Sequence, residues 1–435
     1  MSQIYKKSLP QAYSGRDFFF YLYPVPLVLK SIKIGVFIAC ANFLIQGISF
    51  LVQNYIARNL GTSGYGFFGV LQTDYSIFCT IADFGMSTLV LAFFGSRATK
   101  GRLFQSIFQL RVACSVAAAL AMAIFAITVR RDHPIFYGEL ILTLGLIFQH
   151  AFFDWYFICG KFWKKLFISK LLHSISYSLV MGVTLLYFKV SQIELVALAM
   201  VLAALPAFTF GVTQALSRKL LRVTRRTFLF FKLMFKASAP YAISSFATCA
   251  YLPVGLYVAD KFASAEFLSS YNFGHKILIL CSGIMVHFIS SNLVAQHMSN
   301  DKFVHIKEIA VFTAFVAVCS SPLWLFPRQF LQILFFAVHW TPESLGCSAS
   351  ILKILSFSLL FQAARLSMIS TLLKNKATWT YAIIVSSAGA VNVVACTLAG
   401  SFLANSYIPL FALTGDLVIT VILLCYYLRR GTLRW

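Results

Sequence analysis

From Leu103 to Val129 the chain runs 27 residues with a single charge, Arg111, and stretches of this kind recur along its whole length. A helix rises about 1.5 Å per residue, so roughly 20 apolar residues cross a hydrocarbon core about 30 Å thick. No water in that core satisfies backbone N–H and C=O groups, so a crossing segment of this length must be helical. Windows bounded by charge, glycine or proline fall at Ile34–Ile56, Phe67–Leu89, Leu103–Val129, Ile135–Cys159, Leu166–Phe188, Ile193–Leu216, Leu233–Val258, Phe267–Leu293, Ile306–Phe326, Ala349–Leu372, Trp379–Phe402 and Ile408–Leu428. The residues are 60% hydrophobic and 11% charged, with a mean hydropathy of +0.82, which excludes a soluble globular domain. Every connection between windows is short, so neither face has room for a separate soluble domain.

A net charge of +23 would point to nucleic acid in a soluble chain, but here the placement of the cations decides. With the N-terminus inside, the basic groups Lys6 to Lys33, Arg97 to Arg102, Lys161 to Lys170, Arg218 to Lys236, Lys302 to Lys307, Lys374 to Lys376 and Arg429 to Arg434 all face the cytoplasm. Outside the windows, only Arg58, Arg130, Arg131, Lys189, Lys261 and Arg328 fall on the other side. That bias places both termini in the cytoplasm and explains the charge by topology, with attraction to anionic membrane lipids second and no nucleic-acid partner. The expected division is a basic interfacial segment (1–33), a six-helix bundle (34–217), a basic cytoplasmic loop (218–232), a second six-helix bundle (233–428) and a cytoplasmic tail (429–435). The lead-in does not read as a cleaved signal, because its aromatic run, Phe18–Leu29, is short and broken by Pro24 and Pro26. Gly160–Lys170 suits the cytoplasmic interface, and Pro327–Ser344 reads as an amphipathic piece on the outer surface. The ten cysteines are scattered singly with no metal-ligand spacing, so neither a metal nor a cofactor is expected.

Tyr55–Asp74, YIARNLGTSGYGFFGVLQTD, joins the first two windows. Gly61, Gly64 and Gly66 are expected to make a tight extracytoplasmic turn, and they lack the Lys-Ser/Thr of a phosphate loop. Sliding the second half over the first by 202 residues lays Tyr257–Lys276 on this stretch, so Lys276 falls at the register position of Asp74. Six spans per half give both halves the same orientation. The expected fold is therefore an all-α integral membrane protein of 12 transmembrane helices, in two six-helix bundles related by a pseudo-two-fold along the membrane normal, with a cavity between them.

Arg58-Asn-Leu-Gly61, Gly64-Tyr-Gly66 and Ala82-Asp83-Phe84-Gly85 resemble the signature of the polysaccharide-export flippases, the Wzx group of the MOP superfamily. Ser238-Ala-Pro240 and Tyr271 to Lys276 are similar to the same family, and the likeness in length and layout covers nearly the whole chain. The resemblance implies a transporter in the bacterial cytoplasmic (inner) membrane. It would flip an undecaprenyl-diphosphate-linked oligosaccharide, such as an O-antigen unit, from the inner to the outer leaflet by alternating access, with cation coupling an open point. A polysaccharide polymerase and chain-length proteins are candidate partners. Two other classes fit less well. A MATE-like cation-coupled exporter of small amphiphiles shares the span number but not the motifs, and a membrane-embedded polymerase or ligase would need a large outer loop that this chain lacks.

A diphosphate needs fixed positive charge along its path, which singles out Lys276 with His275, Arg365 and Arg111; for Arg111, snorkelling to the headgroups is the competing reading. Among in-span carboxylates, Asp74, Asp416 and Asp83 would either carry a coupling proton or pair with an in-span cation. Glu139 and Asp154 sit near window ends and read as interfacial. Pro240 and Pro253 fall in the seventh window, the expected bending element, and no nucleophile elbow or zinc-protease motif is present.

Overall fold

The computed structural model describes residues 25–93, 101–149, 151–160, 162–188, 192–217, 227–251, 253–296, 304–374 and 377–434. It divides into two units, Met1–Phe37 and Ile38–Trp435. The first is described only where residues 25–37 are helical, and most of the expected interfacial segment and basic loop lie outside the described residues. The second unit holds the remaining helices.

Each expected window coincides with a helix or a broken helix. The first two share α1 (Val25–Asp83), which is kinked at Gly61 (φ 70°, ψ 179°), and the second continues into α2 (Met86–Phe93). The remaining windows of the first half hold α3 (Gly101–Val129), α4 (Phe136–Ile147) with α5 (Asp154–Cys159), α6 (Trp163–Phe188) and α7 (Ile193–Ser217). The second half holds α8 (Thr227–Tyr251) with α9 (Val254–Phe262), α10 (Ala265–Gln296), α11 (Ile306–Leu325) with α12 (Pro327–Leu334), α13 (Pro342–Leu355) with α14 (Ser358–Lys374), α15 (Thr378–Phe402), and α16 (Ile408–Ala412) with α17 (Thr414–Arg429). Among the described residues, six helical stretches are each long and apolar enough to cross a membrane, and eight if two bent pairs count as one span apiece. Those pairs are α8/α9, bent by 45°, and α11/α12, where α12 turns 88° away and lies across the end of its span. This is the piece expected on the outer surface.

The amphipathic pattern is inverted relative to a soluble protein. On α3, Val116, Leu120, Ile124 and Ile127 are exposed, whereas Ala118, Met122 and Ala126 on the other side are buried. Over this part of α3 the outward face is large and aliphatic and two of the three inward residues are alanines, as in helices that face lipid and pack closely on one another. Two two-residue strands, β1 (Val304–His305) and β2 (Leu433–Arg434), pair in parallel, so the residues that follow the twelfth span lie beside the start of the ninth.

The halves meet where α1 crosses α10, and the repeated stretches face each other there. Asn272 Nδ2 donates to Tyr65 O at 2.7 Å, and the rings of Tyr65 and Phe273 are 4.6 Å apart. Gly61 alone of the three expected turn glycines has a positive φ. Gly66 lies inside the helix, where a Cβ would come 2.9 Å from Ser269 N; at Gly69 a Cβ would come 2.3 Å from the Asn272 side chain. These glycines are needed for close approach rather than for a turn.

Gly69→Ala should lower the melting temperature in detergent through overpacking of about 1–3 kcal/mol. Gly47→Ala, where a Cβ meets nothing within 4 Å, should leave it unchanged. Equal melting temperatures for the two would dismiss the close crossing.

Candidate functional site

The segment Ala82-Asp83-Phe84-Gly85 is the break that ends α1. Phe84 (φ 48°) and Gly85 (φ 65°) are both left-handed, which stops one helix and lets α2 restart. A Cβ on Gly85 would lie 2.5 Å from Ala242 N in α8, so the motif is also a point where the halves touch. Asp83 accepts hydrogen bonds from Ser87 N (3.3 Å) and Ser87 Oγ (2.6 Å), and its Oδ1 lies 3.0 Å from Arg111 Nη2. Arg111 also donates from Nη1 to Ser87 Oγ at 3.1 Å and lies over the ring of Phe152. At 2% exposure it is held inside the protein and does not snorkel.

In the second half, Arg365 and Asp416 form a buried ion pair, Nη1 to Oδ1, at 2.5 Å. Tyr251 Oη donates to the same oxygen at 3.1 Å, and Ser358 Oγ donates to Oδ2. Gln362 Nε2 donates to Ser358 Oγ (3.0 Å), and Ser282 Oγ of α10 donates to Gln362 Oε1. Desolvating both charges is costly, and their attraction offsets it only because the remaining lone pairs are also satisfied.

Lys276 is placed differently. It lies on α10, partly buried, and its Nζ donates to Gln72 Oε1 of α1 across the meeting of the halves. Among the described residues no carboxylate pairs with it, whereas Arg111 and Arg365 are each neutralised. His275 beside it is buried, with its ring centroid 6.3 Å from that of Tyr271. The two expected anion contacts have different partners, Gln72 for Lys276 and Asp416 for Arg365.

Asp74, which shares a repeat register position with Lys276, does not face it. It accepts from Tyr257 Oη at 2.6 Å and lies 3.3 Å from Arg130 Nη2. The 202-residue offset sets Tyr257 at the position of Tyr55, and in the structure Tyr257 meets Asp74 instead. Glu139 is fully buried, 3.7 Å from Arg130 Nε, which corrects its reading as interfacial. Asp154 is partly exposed at the start of α5. Pro240 sits inside an uninterrupted α8, whereas Pro253 caps α9 at the bend, so only Pro253 of the two expected hinge residues marks a break.

Sequence reasoning missed Gln72, Tyr257 and Asp260 as polar partners, and it took Arg130 only as a sided charge. Their signal is a polar side chain within a few residues of a span end, which hydropathy alone assigns to headgroups.

Arg365→Met should leave the Asp416 carboxylate buried and unpaired, destabilising the protein by about 3–5 kcal/mol. The double variant Arg365→Met/Asp416→Leu should recover most of the melting temperature. A double variant no more stable than the single one would show that the pair is not what holds these helices.

A family model described as polysaccharide biosynthesis protein matches residues 32–294, more than half of the chain. No curated protein matches by sequence. Among solved structures, an inward-facing multidrug resistance MATE family transporter of the MOP superfamily overlays at a TM-score of 0.70, with 11% identity, covering 92% of this chain and 97% of that one. The lipid II flippase MurJ in an inward closed conformation also overlays at 0.70, with 13% identity and coverage of 92% and 88%. An outward-facing MATE transporter of the same superfamily overlays less well, at 0.59, with 10% identity and coverage of 92% and 96%. At these identities the likeness speaks for the fold, that of membrane transporters built from two helical bundles.

Proposed function

The chain belongs to the polysaccharide biosynthesis protein family, and from that premise we propose that it flips an undecaprenyl-diphosphate-linked oligosaccharide from the inner to the outer leaflet of a bacterial cytoplasmic membrane. Both termini then face the cytoplasm, and transport proceeds by alternating access with a coupling cation. The observation that carries the reading is Lys276, a cation kept between the two halves without a carboxylate partner among the described residues. A lysine that meets a neutral amide has no carboxylate to compensate its charge, and an ammonium meets a diphosphate as a point charge. Arg111 and Arg365 serve this reading as fixed pairs that hold the helices around the path, with their charge already spent on Asp83 and Asp416. Asp83 and Asp416 are correspondingly positioning groups. Polysaccharide polymerase and chain-length proteins are partners in the same proposal.

Lys276→Gln should reduce flipping by at least about tenfold, equivalent to about 1.4 kcal/mol, with the protein still present in the membrane. Lys276→Arg should retain part of it. The direct measurement is the leaflet distribution of polyprenyl-diphosphate oligosaccharide in the native host after depletion of this protein. Accumulation on the cytoplasmic face with loss of surface glycan is the expected result. An unchanged distribution, together with increased sensitivity to small amphiphiles, would replace the flippase by an exporter.

A further inference from the structure

Where α3 ends and α4 begins, a second set of charges ties the halves together, and none of it is used by the path around Lys276. Arg130, in the connection, lies 2.7 Å by Nη1 from Asp260 Oδ2 of α9, 3.3 Å by Nη2 from Asp74 Oδ2 of α1, and 3.7 Å by Nε from Glu139 Oε1 of α4. His133 Nε2 is 3.1 Å from Asp260 Oδ1, and Tyr257 Oη of α9 donates to Asp74 Oδ1 at 2.6 Å. Asp74, Arg130, His133 and Glu139 belong to the first half, Tyr257 and Asp260 to the second. Three ties therefore cross between halves: Arg130 to Asp260, His133 to Asp260, and Tyr257 to Asp74.

The charges in this cluster do not balance. Three carboxylates share one permanent cation, and the side chains of Asp74, Asp260 and Glu139 are 3%, 5% and 0% exposed. Neither oxygen of Glu139 accepts a hydrogen bond, and Arg130 Nε donates none. An ionised carboxylate with no donor in a water-excluded site is the least tolerable of buried groups; its neutral acid is far less costly. His133 faces Asp260 and is a cation only when protonated, and among the described residues no other nearby group supplies positive charge to Glu139. Arg131, Asp132 and Lys261 are exposed to solvent, and Glu194 on α7, which also packs against α4, is partly exposed and forms no ion pair with the cluster among the described residues. Nor is the site arranged for a metal: no group of three or more His, Cys, Asp or Glu among the described residues could hold one, and Arg130 reaches all three carboxylates itself.

We propose that this cluster is a proton-binding site, in which Glu139 holds one proton while the halves are joined at the face where Arg130 lies. The proton comes from the water on that face as the halves close. When they part, Asp260 and Tyr257 leave with the second half, water reaches Glu139 and Asp74, and Arg130 is left to these two carboxylates, so the proton returns to the same water. Closure of this face is thereby linked to uptake of one proton. The inference rests on the alternating-access reading above, but it is read without any substrate.

The test uses the purified full chain in nanodiscs. Spin labels go on Cys introduced at Arg131 and Glu266, with the exposed Cys319 and Cys425 changed to Ser. The closed-to-open ratio should fall by up to about tenfold per pH unit on raising the pH, the limit for one linked proton. Glu139→Gln should keep the face closed throughout, Asp260→Asn should open it at every pH, and added sodium at fixed pH should change nothing. A distance distribution that ignores pH, that responds to sodium in place of pH, or that keeps its pH response in Glu139→Gln would overturn the proposal. Intact pH-linked closure in a protein that fails to flip lipid would instead fault the substrate assignment.

Discussion

A charge inside an apolar layer persists only with a partner, and the helices here are arranged by where the partners stand. Asp83 and Arg111 hold the second span to the third, and Arg365 and Asp416 hold the tenth to the twelfth. Arg130 then joins the halves through Asp260. Lipid offers no hydrophobic preference for one apolar helix over another, so these pairs, together with close packing of small residues, supply the specificity that water supplies in a soluble core.

Close packing does the rest at the crossing of α1 and α10. With hydrogen in place of a side chain at Gly66 and Gly69, Asn272 can reach the Tyr65 carbonyl, and Lys276 can reach Gln72. The same approach sets Lys276 against a neutral amide, which leaves its charge uncompensated. Fold and candidate site thus depend on one contact.

The spans were legible in the sequence because the thickness of a bilayer imposes a length that composition can satisfy or fail. The two stretches that a 202-residue offset lays on each other do meet, through Asn272 and Tyr65. What hydropathy could not convey was who faces whom. Arg365 and Asp416 are 51 residues apart, and Arg130 and Asp260 are 130 apart, so each looked like an isolated charge. Glu139 lies in the first turn of its helix, where a carboxylate ordinarily meets water; Arg130 faces it instead, and that is a property of packing between helices. Gly66 was taken for a turn because glycine supports both a turn and a close crossing, and only the neighbouring backbone distinguishes them.

The pairing of Leu433–Arg434 with Val304–His305 has a consequence in time. The first strand is made before the ninth span and the second only after the twelfth, so four spans separate the partners in sequence. The two can meet only once all four have been made. The strand pair is thus a closing stitch over the last four spans, and it cannot form while any of them is still missing.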